Sequence, residues 1–156
     1  MGPCPLLARG KPLKDTAKGA GDGFKLTTFN CRVESCATSS TFKGAFSRRR
    51  CIVPTSDWFE WTGDLGSKTN HRFARADGRA IWFAGLWDRC TASDAGEVAS
   101  FSIMTGPSAG WLTDYHTRNP VILEPDEWSA WLDPSTDAAA LIAAVRPERF
   151  QLGEAA

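Results

Sequence analysis

Cys51-Ile-Val-Pro-Thr-Ser-Asp-Trp-Phe-Glu-Trp61 sets one carboxylate among three aromatic side chains. The segment opens as a short apolar run of β type, Cys51 to Val53. Pro54 is expected to break it, and a strand re-emerges at Trp58-Phe59-Glu60-Trp61. Side chains alternate across a strand, so Phe59 and Trp61 share one face and Trp58 and Glu60 the other. If the sheet is covered on both faces, Glu60 sits in a partly desolvated site. Burial of that kind disfavours the charged form and lifts the pKa toward values useful for general acid–base chemistry. A Glu on the wet face of an edge strand is the alternative reading, and alternation alone does not choose between the two.

Length and composition bound what surrounds this strand. The 156 residues form most simply one domain, 1–156, long enough to bury a sizeable core. Hydrophobic content of 42% and charged content of 23% are those of a soluble globular chain. Seven Trp supply core, or stacking platforms for bases. No run reaches the length of a membrane span and no signal-peptide pattern opens the chain, so a cytoplasmic protein with no membrane partner is expected, nucleoid-associated when bound to DNA. Five cysteines (Cys4, Cys31, Cys36, Cys51, Cys90), no C-x-x-C and only two histidines argue against zinc. Free, mostly buried thiols in a reducing compartment are the expectation, with no metal and no organic cofactor.

The net charge of zero conceals an asymmetry. Residues 1–50 carry ten Lys/Arg against three Asp/Glu, and residues 51–156 carry eight against fifteen. The basic half is either a polyanion-facing surface or the electrostatic complement of the acidic half.

Outward from Glu60, the pattern predicts short strands in hairpins with peripheral helices. Residues 1–23 read as loop or disorder, and Phe24–Phe29 as a short strand. Thr38-Ser39-Ser40 offers helix caps ahead of Phe42, Ala45 and Phe46 at helical spacing. Arg48-Arg49-Arg50 closes that helix, where positive charge suits the dipole and could equally grip phosphates. His71–Arg75 and Ala80–Trp87 flank Asp77-Gly78, a hairpin signal. A long loop then leads to a strand at Ala99–Thr105. Pro125 opens a helix whose buried face is Trp128, Trp131 and Leu132, stopped by Asp133-Pro134. Ser135 or Thr136 caps a last helix running through Val145. The expected class is α+β with a mainly antiparallel sheet.

Asn30, Glu60 and His116 stand out as polar positions in apolar surroundings. Arg32 and Arg118 each follow one of them by two residues, which pairs a neutral hydrogen-bonding group or an imidazole with a phosphate binder. Singly, each has a structural explanation: an Asx-turn for Asn30, a satisfied imidazole for His116.

Taken together the motifs resemble the SRAP family, the SOS-response-associated peptidase domain. They are Asn30-x-Arg32-x-Glu34, Arg48-Arg-Arg-Cys-Ile-Val-Pro54, Trp58-Phe-Glu-Trp61, Phe83-Ala-Gly-Leu-Trp87, the Ser-Ile-Met-Thr run ending at Thr105, and His116-x-Arg-x-Pro-Val-Ile-Leu123. The resemblance spans about residues 24–133 and implies a curved, barrel-like, mainly antiparallel sheet with peripheral helices. It implies a monomeric DNA-damage-response protein that binds single-stranded DNA at abasic sites. In that family a cysteine after the initiator methionine closes a thiazolidine on the open-chain sugar aldehyde, and a peptidase step removes preceding residues.

Matched position by position, Glu60 is the family's catalytic glutamate, His116 the histidine near the sugar oxygens, and Asn30 the asparagine that holds the amino-terminal residue. Arg32 and Arg118 match phosphate-contacting positions, Thr105 a residue lining the DNA groove, and Trp61 an aromatic beside the lesion. One departure is large. Family members begin Met-Cys-Gly-Arg; this chain begins Met-Gly-Pro-Cys-Pro. Removal of Met1 would expose Gly2, and Cys4 could form a hemithioacetal but not a thiazolidine. The family's first third looks absent, so a misplaced start, a gene fragment or a shortened relative is expected, with open strand edges in the last two cases. Two further readings stay open: a non-covalent or inactive single-strand-binding remnant, and a small hydrolase using Glu60 and His116 on another substrate.

Overall fold

A computed structural model of the chain describes residues 29–92, 96–143 and 146–153. The predicted loop of residues 1–23, nearly all of the strand predicted at Phe24–Phe29, and Val145 at the end of the last predicted helix lie outside the described residues.

Two mostly antiparallel sheets carry the fold. The larger contains β1 (Asn30–Arg32), β2 (Arg50–Thr55), β5 (Ile81–Ala92), β6 (Gly96–Pro107) and β7 (Arg118–Pro120). Its strand order is β1-β6-β5-β2, with β7 added to the C-terminal end of β6, and β1 runs parallel to β6. The smaller sheet contains β3 (Asp57–Thr62), β4 (Thr69–Arg75) and β8 (Phe150–Gly153), in the order β3-β4-β8. Three short helices, α1 (Lys43–Arg48), α2 (Trp128–Leu132) and α3 (Ala139–Ala143), lie among the strands and their links. The α+β class holds. The barrel-like closure does not, because the described strands divide into two separate sheets.

Strand β5 has no wet face at its N-terminal end. Ile81 and Phe83 enter one core with Trp58, Phe73, Leu112 and Phe150. Ala84 and Leu86 enter a second core with Cys31, Met104, Leu123 and Trp131. Gly85 lies between them because a side chain would not fit: a Cβ there would come 2.9 Å from Cys51 Sγ and 3.0 Å from Val53 Cγ2.

Several local expectations are corrected. Pro54 does not break β2; it pairs with Trp82 and the strand runs on to Thr55. β2 is an edge strand, where a missing N–H costs the ladder little. The turn comes at Ser56 instead, where the Thr55 hydroxyl donates to the Asp57 carbonyl at 2.7 Å. Asp77-Gly78 is a turn, with Gly78 at φ +72°, but not a hairpin. β4 is flanked by β3 and β8 and β5 by β2 and β6, so the turn hands the chain from one sheet to the other. The Asp77 carboxylate fixes that turn by accepting from Arg75 Nε at 2.9 Å and Nη2 at 2.8 Å, and from Arg79.

The long loop expected before Ala99 is instead a continuation of both strands, with Arg89 opposite Ala99 and Thr91 opposite Glu97. Leu132 is exposed, leaving Trp131 as the buried anchor of α2. Ala139 at the start of α3 donates its N–H to Asp137 Oδ1 at 3.0 Å, so Asp137 takes the role foreseen for Ser135 or Thr136. The described thiols at Cys31, Cys36 and Cys51 are free. Burial pushes the Cys51 thiol up to about 11, which makes it a poor nucleophile. Among the described residues no helix is long and apolar enough to cross a membrane.

The packing at Gly85 is testable. Gly85→Ala should destabilise the fold by roughly 1–3 kcal/mol in urea unfolding, as overpacking does. Cys51→Ala in the same chain should recover part of the loss, since it removes the sulfur that the new methyl meets.

Candidate functional site

Glu60 lies on β3, with side chains arranged as the alternation required: Trp58 buried, Glu60 half-buried, Phe59 and Trp61 outward. Trp58 stacks on Phe73 of β4 with ring centroids 4.9 Å apart, and the Trp58 edge meets Phe83 and Phe150. This aromatic wall desolvates the strand's inner face two residues short of the carboxylate. Burial raises the Glu60 pKa, and the charge of His116 acts in the opposite direction as a smaller effect. The acid and the imidazole, 56 positions apart, are thus within electrostatic reach of each other.

The segment that delivers His116 is pinned at several points. His116 N–H donates to the Leu112 carbonyl at 3.3 Å, Ser108 Oγ–H donates to the His116 carbonyl at 2.6 Å, and Ser108 N–H donates to the Thr117 carbonyl at 3.0 Å. Nδ1 of the ring lies 2.8 Å from the Arg118 carbonyl and 3.0 Å from the Arg118 N–H. A protonated Nδ1 donates to that carbonyl; an unprotonated one accepts from that N–H. In both states the backbone occupies Nδ1, and Nε2 is the nitrogen left for a substrate.

Two residues on, Arg118 anchors a second group. Its Nη2 donates to the Thr105 carbonyl at 2.6 Å, and its Nε to Thr105 Oγ1 at 3.4 Å. Nη1 and Nη2 also donate to the two carboxylate oxygens of Glu34, at 2.9 and 2.8 Å. Those bonds from Arg118 hold the Glu34 pKa down at about 2. Arg32, whose charge also reaches Glu34, pairs in register with Thr105. Asn30 and Arg32 both face outward from β1 while Cys31 between them is buried, so the alternation places them on one face. Among the described residues the Asn30 side chain has no hydrogen-bond partner.

The other expected positions fall elsewhere. Trp61 is 52% exposed and, with Phe59, lies on the face of β3 opposite to Glu60. Arg50 is a packing residue and not a free cation. Its Nε donates to the Phe46 carbonyl, its Nη1 to the carbonyls of Trp131, Asp133 and Thr136, and the guanidinium lies over both the Phe46 and Trp131 rings. Arg49 donates to Asp88 and to the Trp87 carbonyl. Arg48, in the last turn of α1, is exposed.

Two neighbours of the site escaped sequence reasoning. His71 stands directly across from Glu60 in the β3–β4 register, on the same face. Its Nε2 lies 2.7 Å from Thr62 Oγ1 and its ring meets the edge of Tyr115, the residue before His116. Only the strand register could have found it. Glu34 was visible inside the Asn-x-Arg-x-Glu motif, but nothing local marked it as the partner of an arginine 84 positions away. Among the described residues no group of three or more His, Cys, Asp and Glu is placed to hold a metal ion.

Comparison with known proteins decides the family. The sequence profile of the SOS response associated peptidase (SRAP) family matches residues 13–153. The chain belongs to the SRAP family. It is 34% identical over 108 residues to the abasic site processing protein YMR114C of Saccharomyces cerevisiae, a match covering 68% of this chain and 28% of that protein. To the Escherichia coli abasic site processing protein YedK it is 35% identical over 104 residues, covering 66% and 46%. This SRAP chain therefore matches less than half the length of either relative. A crystal structure of a Bordetella bronchiseptica protein superposes with a TM-score of 0.76 at 26% identity, covering 95% of this chain and 75% of that one. A Bacteroides thetaiotaomicron protein gives a TM-score of 0.71 at 30% identity, covering 79% and 56%.

The raised Glu60 pKa has a thermodynamic signature. Between the unfolded and folded pKa values the folded chain holds a proton that the unfolded chain has released, so stability falls as pH rises through that window. Glu60→Gln should therefore be more stable than wild type near neutral pH. The advantage should disappear below the ordinary carboxylate range, as read by urea unfolding at the two pH values. Removal of the His116 charge by His116→Ala should raise the Glu60 pKa further in a carboxyl-carbon NMR titration. Arg50→Ala should lose stability, whereas Arg48→Ala should change stability by about 0.5 kcal/mol or less, as exposed substitutions do.

Proposed function

We propose that this SRAP chain recognises abasic sites in single-stranded DNA, and that Glu60 and His116 move the protons that open the abasic sugar. The observation that carries the reading is the half-buried Glu60 carboxyl, its pKa raised by burial, within electrostatic reach of an imidazole. The relatives named abasic site processing proteins support the substrate class.

The chemistry suits such a pair. An abasic deoxyribose is mostly a closed hemiacetal. Opening it requires one proton to leave the C1 hydroxyl and one to reach the ring oxygen as the C1–O bond breaks and the carbonyl forms. A carboxyl with a raised pKa and an imidazole both exchange protons near neutral pH, so one can take while the other gives. Nε2 of His116 is the nitrogen free for this exchange. Arg118 and Arg32 are assigned to the flanking phosphates, Thr105 to the orientation of Arg118, and Asn30 to hydrogen bonding beside the sugar. Trp61, on the outer face of β3, is assigned to stacking on a neighbouring base. The family's covalent capture through an amino-terminal cysteine is not part of the assignment, because Gly2 follows Met1.

The test uses a single-stranded oligonucleotide with one abasic site, an intact control and an external aminooxy probe that traps free aldehyde. Wild type should prefer the abasic strand in anisotropy titrations and accelerate oxime formation. Glu60→Gln and His116→Ala should bind comparably and lose most of the acceleration, on the order of a hundredfold if general acid–base catalysis is at work. Equal affinity for abasic and intact strands would remove the reading. A band that survives a denaturing gel would show that the chain supplies a nucleophile of its own.

A further inference from the structure

We infer that Glu34 is a built-in competitor for the anion-binding fork of Arg118, so that phosphate binds there by exchanging with a carboxylate and not by filling an open site. The inference rests on the reading that Arg118 meets DNA phosphate.

A guanidinium has five N–H donors. Four of the five on Arg118 are spoken for. Two go to the Glu34 oxygens at 2.9 and 2.8 Å, one to the Thr105 carbonyl at 2.6 Å, and Nε points to Thr105 Oγ1 at 3.4 Å. One Nη1–H is left. Phosphate is held well by arginine when it takes two parallel N–H bonds, and that geometry is the one Glu34 already occupies. A phosphodiester approaching Arg118 meets one donor and a carboxylate that stays ionised down to about pH 2.

The exchange is feasible because the two sides of the guanidinium are held differently. The Glu34 side chain is 49% exposed and that of Arg118 only 20%. A departing Glu34 carboxylate rehydrates, and an ion pair with so wet a partner is weak. The Thr105 bonds come from buried β6 and remain when Glu34 leaves. Glu34 is thus not required to aim Arg118. Its effect is to suppress generic phosphate affinity at Arg118, and through its charge at Arg32. Binding to any single strand is weakened alike, and retention then depends on contacts made by the lesion itself.

The experiment is a salt titration of binding to intact and abasic single strands by wild type, Glu34→Gln, Arg118→Ala and the double variant. Glu34→Gln keeps the side-chain shape and sits on the surface; circular dichroism confirms its fold. The expected result is a gain in affinity of roughly three- to fivefold for both oligonucleotides, as for release of one exposed ion pair. The slope of log affinity against log salt should become more negative by about 0.7, as for one added phosphate contact on a single strand. The double variant should bind as Arg118→Ala does. Weaker binding by Glu34→Gln, with a shallower slope, would overturn the inference and make Glu34 a positioning residue. A gain that persists without Arg118 would overturn it as well. The abasic-over-intact preference of wild type is read separately, so loss of that preference sinks the function while the Glu34→Gln gain on intact strands still judges this inference.

Discussion

The first half of β5 cannot touch water on either face, and most of the architecture follows from that. Ile81 and Phe83 require an aromatic layer on one side, which the smaller sheet supplies through Trp58, Phe73 and Phe150. Ala84 and Leu86 require cover on the other, which β1, β6 and α2 supply through Cys31, Met104 and Trp131. A strand buried twice has room only for small or apolar side chains, and Gly85 is the extreme case. Polar chemistry is excluded from the centre of the fold and must be assembled around its margins.

Glu60 and His116 come together at such a margin. Glu60 is on an edge strand, yet its inner face is shared with Trp58, and the aromatic layer that seals β5 also strips solvent from the carboxylate. Two influences compete there, burial raising the pKa and the imidazole charge lowering it, and burial wins. The packing that stabilises the core therefore creates the perturbed acid, at a local cost in stability near neutral pH. The same relation explains why His116 is held by backbone contacts and not by side chains. Its position depends on the turn after β6, whose ends are tied by Ser108.

Much of this was legible in the residues, and the failures have identifiable causes. Alternation alone placed Trp58 and Glu60 against Phe59 and Trp61, and Asn30 with Arg32, because side-chain period in a strand does not depend on partners. The motif resemblance named the acid and the imidazole that the fold brings within reach of each other. What failed was whatever depended on partners. Asp77-Gly78 looks like a hairpin turn in any sequence, and only the claims of β2 and β6 on both edges of β5 forbid it. Pro54 looks like a strand breaker unless β2 is known to be an edge. His71 gains its place opposite Glu60 from register alone, and Glu34 gains its meaning from an arginine far along the chain.

Charge is where sequence and structure differ most instructively. The first fifty residues look like a polyanion-binding surface, but little of that charge is free in the described part. Arg50 is buried under carbonyls and aromatic rings, and Arg49 is paired with Asp88. Apart from Arg50, only Arg32 and Arg48 among the described arginines lack a carboxylate partner within ion-pair distance. A protein that gripped DNA chiefly through its backbone would present open guanidinium groups, since counterion release supplies that affinity. Here the arginine nearest His116 is already neutralised. A surface built in this way holds any single strand weakly, and discrimination must come from the uncharged end of the site, where a raised carboxyl and an imidazole meet a sugar that has lost its base.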